Sequence, residues 1–476
     1  MFIFLLDTGL SGPDAWESDM TDVQAQQRAQ YPDNTWADIA ARDGDLPPVL
    51  ALQVNPPQDL RPIDFERYTS PRHFDLEIER MWKRVWQYAT REEYLAEEGD
   101  YVVYDLARLS VVLVRTADGI KGYVNSCLHR GTKLKPSGDA GWSASLACPF
   151  HGWEWDLSGS IKKIPCEWEF PQLDKAKACL PEVRVDSWNG NVFISFAKDG
   201  PSLAEYLQDL PAHFANWDMT GWYVHTHIRK HLPGNWKLAQ EAFMEAYHTP
   251  VVHPEMTNVV GDHNMQHDIF SDHVSRDLCA MATPSPTSNV NMSEQQLLEA
   301  MLVGDGSMVG ERSEVPPGKT ARWVMAQQLK QTMQRDHGLD YAGHSVPEMI
   351  DSIKYAVFPN VNFYPAPGLC LIQTFRPDGH DPDRSIFDQL VLRPKPASGD
   401  FTPAQVVDIA EDVPFSSVEG MDPFLASVLD QDTDIMRWQR EGMYASATGV
   451  QILSNYQESR IRHLHDTLDR YLAGEL

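Results

Sequence analysis
Cys127-Leu128-His129 is followed, after eighteen residues, by Cys148-Pro149-Phe150-His151. Two cysteines and two histidines in two short mixed pairs have the types and the spacing to close around metal. A [2Fe–2S] cluster with two thiolates on one iron and two imidazoles on the other needs this mixture. A neutral imidazole stabilises oxidised iron less than an anionic thiolate does, so such a cluster has a higher reduction potential than an all-cysteine one. Structural zinc competes for the same four residues, but zinc motifs more often pair like ligands, as C-x2-4-C and H-x3-5-H. Four unrelated residues, with the cysteines buried as small apolar groups, are the remaining reading, and two mixed pairs argue against it. Each pair reads as the tip of a β-hairpin. Ile120-Lys-Gly-Tyr-Val-Asn-Ser126 leads into the first and Ser145-Leu-Ala147 into the second, while Gly131, Pro149 and Gly152 supply turn chemistry.

A second constellation is Glu245-Ala-Tyr-His248-Thr-Pro-Val-Val-His253. Non-haem Fe(II) sites that activate O2 take two histidines and one carboxylate on one face of the metal and leave the other positions open. His248 and His253 have the spacing H-x4-H. In a straight helix residues five apart point to different sides; Pro250 breaks the pattern after His248 and lets His253 turn back to the same iron. Two ordinary histidines, one in the core and one at the surface, are the alternative, and the pairs upstream weigh against it. The carboxylate must come from elsewhere. Asp430, Asp432 and Asp434 stand close together and are the candidates, although such a run is also what a solvated helix face looks like.

These residues need elements to hold them. A first amphipathic helix is expected over residues 74–86, with Leu76, Ile78, Met81, Trp82 and Val85 on its apolar side. It lies in a helical segment, residues 61–87, that joins the second domain. Tyr101–Tyr104 and Ser110–Arg115 read as strands, a turn falls at Ala117-Asp-Gly119, and Val192–Phe196 reads as the last strand of a small β-domain over residues 88–205. The second domain takes residues 206–476. It is expected to hold a strand at 222–229, one helix over 235–253 and strands at 357–364, 369–375 and 386–392. A helix over 422–439 carries Asp432, and a last helix over 457–472 carries His463 and His465. Residues 257–345, rich in Met, Ser, Asp and Gly, read as long loops with scattered helical signals. Residues 1–60 read as a polar arm, loosely packed or partly disordered. The predicted fold class is α+β.

The chain has 476 residues, a hydrophobic share of 42% and a formal net charge of −28. That suits two or three globular domains and argues against a general nucleic-acid or anionic-membrane binder. No apolar run approaches a membrane span. Met1–Leu6 is apolar but lacks a basic flank and is a poor signal peptide, and Met20 is a second candidate start. Cys166, Cys179, Cys279 and Cys370 are expected as reduced thiols, which places the protein in the cytoplasm.

The motifs together resemble the α subunit of Rieske non-haem iron oxygenases. Asn125-Ser-Cys-Leu-His-Arg-Gly131 and Cys148-Pro-Phe-His-Gly-Trp-Glu-Trp-Asp-Leu-Ser-Gly159 are similar to its two cluster loops. Asn235-Trp-Lys-Leu, Tyr247-His248, His253 and Phe358-Pro-Asn360 are similar to its catalytic domain. The resemblance runs from about Asp64 to the end. It implies a Rieske β-domain with Cys127, His129, Cys148 and His151 on a [2Fe–2S] cluster. It also implies a helix-grip catalytic domain, in which an antiparallel sheet wraps a long helix, with His248, His253 and Asp432 on a mononuclear Fe(II). Asp432 is selected from the acidic run by the family pattern around Asp430–Asp434, Gln439 and Gly442. The partners implied are O2, a small organic substrate, aromatic or otherwise, and an NAD(P)H-dependent reductase with or without a ferredoxin, around a homotrimer. Where most members have Asp three residues before the first histidine, this chain has Glu245. In the family that carboxylate bonds a cluster histidine of the neighbouring subunit, here His151, and so bridges the two metals. A glutamate at this position is similar to the subgroup that includes carnitine monooxygenase, and it weighs against ring cis-dihydroxylation in favour of hydroxylation or oxidative demethylation. A Rieske electron carrier without oxygenase activity is the alternative class; it would not need the second constellation.

Overall fold
The computed structural model describes residues 34–288, 290–301, 313–396 and 399–476. Met1–Leu6 and Met20 lie outside the described residues. The architecture is α+β, with an antiparallel β-domain followed by a large mostly antiparallel sheet that carries helices. Gln87–Arg91, Asn191–Ser195, Glu182–Trp188, Gly119–Val124, Leu109–Thr116, Asp100–Leu106 and Ala140–Trp142 form a seven-stranded sheet in that order. Leu146–Ala147, Glu154–Trp155 and Ile161–Lys163 form a three-stranded one beside it. Buried Val112, Val114, Leu146 and Trp155 join the two around Cys127 and Cys148.

The catalytic-side sheet has eight strands. Their order is Val260–Ile269, Val274–Met281, Ser352–Val357, Val361–Tyr364, Leu371–Pro377, Ser385–Pro394, Trp222–Leu232 and Val406–Ile409. Only the last pairing, Trp222–Leu232 with Val406–Ile409, is parallel. The run expected as one strand over 357–364 is two: Val357 ends one strand, and a turn over 358–360 separates it from Val361–Tyr364. Side chains of one face, among them Val274, Ile353, Tyr355, Val361 and Phe363, enter a core shared with Tyr88 and Phe193 of the first sheet. Tyr88, Phe193 and Phe363 meet edge to face or tilted, with ring centroids 5.9–6.4 Å apart. The two domains also exchange a backbone-to-amide pair: Tyr88 N donates to Asn360 Oδ1 at 3.0 Å and Asn360 Nδ2 donates to Tyr88 O at 3.2 Å.

Four further expectations need correction. The first helix starts earlier, at Pro71, with Ser70 as its cap, and ends in a π-turn at Trp82. Residues 257–345, expected as loops, contain the strands Val260–Ile269 and Val274–Met281 and the helices Glu294–Met301 and Ala321–Thr332. The strands lack a hydrophobic alternation because both faces are buried and both carry polar groups, Ser275, Asp277 and His267 on one and Asp268 and Arg276 on the other. The helix expected over 235–253 breaks into Trp236–Glu241 and Thr249–Val252. Finally, the described part of the N-terminal arm is not loose. Thr35 caps the helix Trp36–Asp43 through a capping box, and Trp36, Ile39, Ala40 and Leu50 are buried in the main core. Trp36 Nε1 donates to Asp351 Oδ2 at 2.9 Å, and Arg322 ties Asp43 to Asp351. A few apolar anchors in a polar stretch were enough to dock it.

The last helix, Ser459–Ala473, bonds the second strand and its turn through Arg460 Nε to Ser275 Oγ, 3.2 Å, and Thr467 Oγ1 to Asp272 O, 2.9 Å. No helix among the described residues is long and apolar enough to cross a membrane. Because Trp36 is 1% exposed, Trp36→Ala is expected to cost about 3–5 kcal/mol of stability. Chemical denaturation of the purified protein checks this, and an unchanged midpoint would mean that the arm does not belong to the fold.

Candidate metal centres
The two Cys/His loops are built alike. Cys127 O accepts from Gly131 N at 2.9 Å, and Cys148 O accepts from Gly152 N at 3.1 Å. Both glycines are left-handed, with φ of 76° and 70°, a conformation that a Cβ disfavours. Cys127 and Cys148 are buried and unpaired. Burial pushes both thiols up. At Cys148 the backbone N–H groups of His151 and Phe150 outweigh this and hold the thiol below its ordinary value, while Cys127 stays above. N–H donors aimed at sulfur are what a ligating thiolate requires. His129 stacks on Trp153, centroids 5.2 Å apart and planes 4° apart, and sits 4.6 Å from the His151 ring. His129 Nδ1 is buried with no hydrogen-bond partner. A buried nitrogen left unpaired in a loop that also carries a buried cysteine suits a metal ligand better than a core histidine. The donor set therefore fits the mixed-ligand cluster.

His151, Phe150 and Leu128 stand at the surface, Phe150 being 57% exposed. The protein thus buries the sulfur side of the site and leaves one imidazole at its edge.

The second centre is assembled from two segments. Asn235 caps the Trp236–Glu241 helix, which is pinned by buried polar contacts. Lys237 Nζ lies 2.5 Å from Glu77 Oε1 and Trp236 Nε1 lies 2.9 Å from Glu77 Oε2. Tyr68 OH donates to Glu241 Oε1 at 2.8 Å, and His465 Nε2 lies 2.9 Å from the same oxygen. After the helix the chain turns, and Glu245, within the span expected as one helix over 235–253, organises the turn. Its Oε2 accepts from the backbone N–H of Tyr247 and of His248, the latter at 3.2 Å. Its Oε1 lies 2.5 Å from His248 Nδ1. Thr249–Val252, opened by Pro250, then returns His253 to His248, with the two rings 5.3 Å apart.

The long helix Pro423–Ala445 brings Asp432 to them. Asp432 Oδ1 is 2.8 Å from His253 Nε2 and 3.4 Å from His248 Nε2, and the three potential ligand atoms lie within 4.8 Å of one another. The acidic run is thereby resolved. Asp430 accepts from Phe415 N and Ser416 N, Asp434 is exposed, and Asp432 alone meets the histidines. Sequence reasoning missed Gln431, whose Oε1 lies 2.6 Å from His253 Nδ1. Its only signal was its place beside Asp432.

The tautomers follow from the partners. A carboxylate and an amide oxygen can only accept, so the Nδ1 of both histidines carries the proton. Both Nε2 lone pairs then face one carboxylate, an arrangement that needs positive charge between them. Burial would lower the His248 imidazole, but Asp432 and Glu245 outweigh it and lift the group to about 10. Burial likewise opposes the Asp432 carboxylate, and the two imidazoles hold it below its usual value. A metal cation satisfies the same demand, and two histidines with one carboxylate suit non-haem Fe(II).

Comparison with known proteins agrees with this chemistry. Residues 219–474, more than half of the chain, match the model for the ring hydroxylating alpha subunit (catalytic domain), and residues 85–176 match the Rieske [2Fe-2S] domain. The chain belongs to the family of ring-hydroxylating α subunits and carries a Rieske [2Fe–2S] domain ahead of the iron-binding catalytic domain. It is 34% identical over 188 residues to the chlorobenzene dioxygenase subunit alpha of Cupriavidus sp. (strain PS12), covering 38% of this chain and 42% of that protein. It is 27% identical over 190 residues to the glycine betaine monooxygenase oxygenase subunit of Pseudomonas aeruginosa (strain UCBPP-PA14), covering 40% and 44%. The chain thus spans under half the length of the first curated relatives it matches. Its fold is similar to that of the quaternary ammonium Rieske monooxygenase CntA in complex with L-carnitine, with a TM-score of 0.60, 15% identity, and 86% and 95% of the two chains covered. It is equally similar to a naphthalene 1,2-dioxygenase, with a TM-score of 0.61, 17% identity, and 89% and 95% covered.

The two centres are separable by mutation. Cys148→Ser is expected to lose the visible absorbance of the cluster while iron bound at His248 and His253 persists. Asp432→Ala is expected to lose at least ten-fold in mononuclear iron affinity with the cluster spectrum unchanged. Metal and acid-labile sulfide analysis checks both, and cluster absorbance retained in Cys148→Ser would contradict the assignment.

Proposed function
We propose that the chain is the terminal oxygenase of a Rieske system. It takes electrons from a NAD(P)H-dependent reductase, directly or through a ferredoxin, and uses O2 to hydroxylate or oxidatively demethylate a small organic substrate. The observation that carries this reading is the convergence of His248, His253 and Asp432 in a chain that also holds the cluster loops. An electron carrier alone would have no use for that triad. Cys127, His129, Cys148 and His151 would hold the [2Fe–2S] cluster, and His248, His253 and Asp432 the iron. Bound there, the two groups would supply stored electrons and O2 activation. The protein's own part is to fix what they face. Glu245 and Gln431 hold the Nδ1 protons of His248 and His253, so each ring offers Nε2 in one orientation. Asp432, buried beside them, supplies the anionic ligand.

We infer further that the cluster reaches the iron of a neighbouring copy. Among the described residues no hydrogen bond joins Glu245 to His151 within one chain, while exposed apolar groups flank both centres. Leu128 and Phe150 surround the cluster loops; Val251, 83% exposed, and Trp438, 71% exposed, lie on the two segments that bring His253 and Asp432 together. Two different patches on one chain make a heterologous interface, which gives a ring where its rotation closes. A homotrimer fits this arrangement and the family resemblance. Six unpaired cysteines, two of them exposed, suit a reducing cytoplasm.

Glu245→Gln would keep the bulk of the side chain and remove the charge that meets His248. With a reconstituted reductase and 18O2, the wild type is expected to yield a product heavier by incorporated 18O, and Glu245→Gln to slow oxidation of the reduced cluster by about 10–100-fold. Cluster oxidation at the wild-type rate in stopped flow would refute the bridging role. Light scattering is expected to give three times the 53.9 kDa chain mass, and Trp438→Asp to lower it. A fully active monomer would exclude the ring.

A further inference from the structure
What the site accepts can be argued from the sheet that faces it, on the premise that the oxygenase reading above holds. Asn362, Gln373 and Gln389 stand opposite one another across adjacent strands and are 0%, 2% and 0% exposed. Asp277 and Lys354 are opposite each other on the next strands, on the same side of the pleat. Lys354 Nζ lies 3.1 Å from Asp277 Oδ2, and Arg460 of the last helix bonds the same oxygen. This is the face turned to the metal-ligand loop. Phe243, just before Glu245, packs on Phe375 and Phe387, which alternate with Gln373 and Gln389 along their strands. Arg460 Nη1 also donates to Met244 O at 3.2 Å. Tyr364, beside Lys354, has its phenol lifted by burial, then by Asp277, and Asp432 adds to it.

Several of these groups have unmet demands. Both amide atoms of Asn362, Asp277 Oδ1 and Arg460 Nη2 are buried with no hydrogen-bond partner. Such atoms are rare in native interiors and call for a polar partner. Two basic side chains also share one carboxylate oxygen, and burial pulls both Lys354 and Arg460 below their ordinary values, so a second anion beside them would hold their charge. His267, on the strand beyond Asp277, adds no charge, because burial pushes its imidazole down to about 4. Next to the same ligand loop the character reverses: Ala246, Val260 and Met265 form an apolar cluster with Met256 and Met281 packed against it.

The geometry points to a small organic carboxylate as the substrate class, its anionic end received by Arg460, Lys354 and Asn362 and its apolar body by the methionine-rich cluster. A hydrocarbon would leave the unmet donors as they are. A carboxylate supplies acceptors to the donors Arg460 Nη2 and Asn362 Nδ2 and a second anion for the two basic side chains.

The test uses the holoenzyme, with its mononuclear iron titrated with NO and read by EPR, and with calorimetry for affinity. The probes are benzoate against toluene and hexanoate against hexane, pairs that differ in the carboxylate. Each acid is expected to bind at least ten-fold more tightly than its hydrocarbon and to perturb the iron–nitrosyl signal. Asn362→Leu removes an unpaired amide at similar size, so it is expected to fold; it and Lys354→Met should each cut the preference by ten-fold or more. Hydrocarbons bound as well as the acids, or a preference unchanged in both variants, would overturn this inference alone. An iron–nitrosyl signal absent from protein with an intact cluster would instead overturn the oxygenase reading.

Discussion
One carboxylate oxygen facing two imidazole nitrogens is the constraint on which the catalytic domain depends. Asp432 comes from a helix near the end of the chain and the histidines from a turn almost two hundred residues earlier. Neither segment is stable in this position by local preference. The turn is held by the Glu245 carboxylate, which caps it and orients His248, and the preceding helix is held by Glu77, Tyr68 and His465. These contacts reach back to helices before the first domain and forward to the last, so elements far apart in sequence define the place of one triad. Breaking such a buried pair by removing one partner typically costs about 3–5 kcal/mol, because a charge is stranded without solvent. Precision at the site is therefore tied to the integrity of the whole domain.

How much could be read from the sequence follows from the range of each interaction. The cluster loops were legible because ligand types, spacing and turn glycines lie within a few residues of one another. His248 and His253 were legible for the same reason. The choice of Asp432 over Asp430 and Asp434 needed the family pattern, since helical periodicity does not say which side chain meets a partner 179 residues away. The break after Glu241 was missed because it is set by a side chain folding back on its own backbone, which composition does not show. The strands Val260–Ile269 and Val274–Met281 were missed because buried charge replaced the expected apolar alternation: Asp268 pairs with Arg276, and Asp277 with Lys354 and Arg460. A period-two pattern marks a strand with one wet face, and these two strands have none.

The N-terminal stretch teaches a related lesson. Its polar composition suggests disorder, yet Trp36 and Leu50 are buried and Arg322 joins Asp43 to Asp351. A disordered reading weighs average hydrophobicity; docking depends on whether a few large side chains find a cavity already shaped for them.

The reciprocal bond between Tyr88 and Asn360, with the aromatic cluster around it, bears on motion. A hinge needs a thin, polar, solvent-filled seam, and here the seam is dry, aromatic and cross-stitched at the backbone. The two domains should therefore diffuse and vibrate as one stiff body. On the proposed oxygenase reading, electron delivery in such a molecule is not throttled by swinging the first domain on a tether. On that reading any gate lies where redox partners or copies touch, and the rate of delivery becomes a property of collision and assembly, set by concentration and ionic strength.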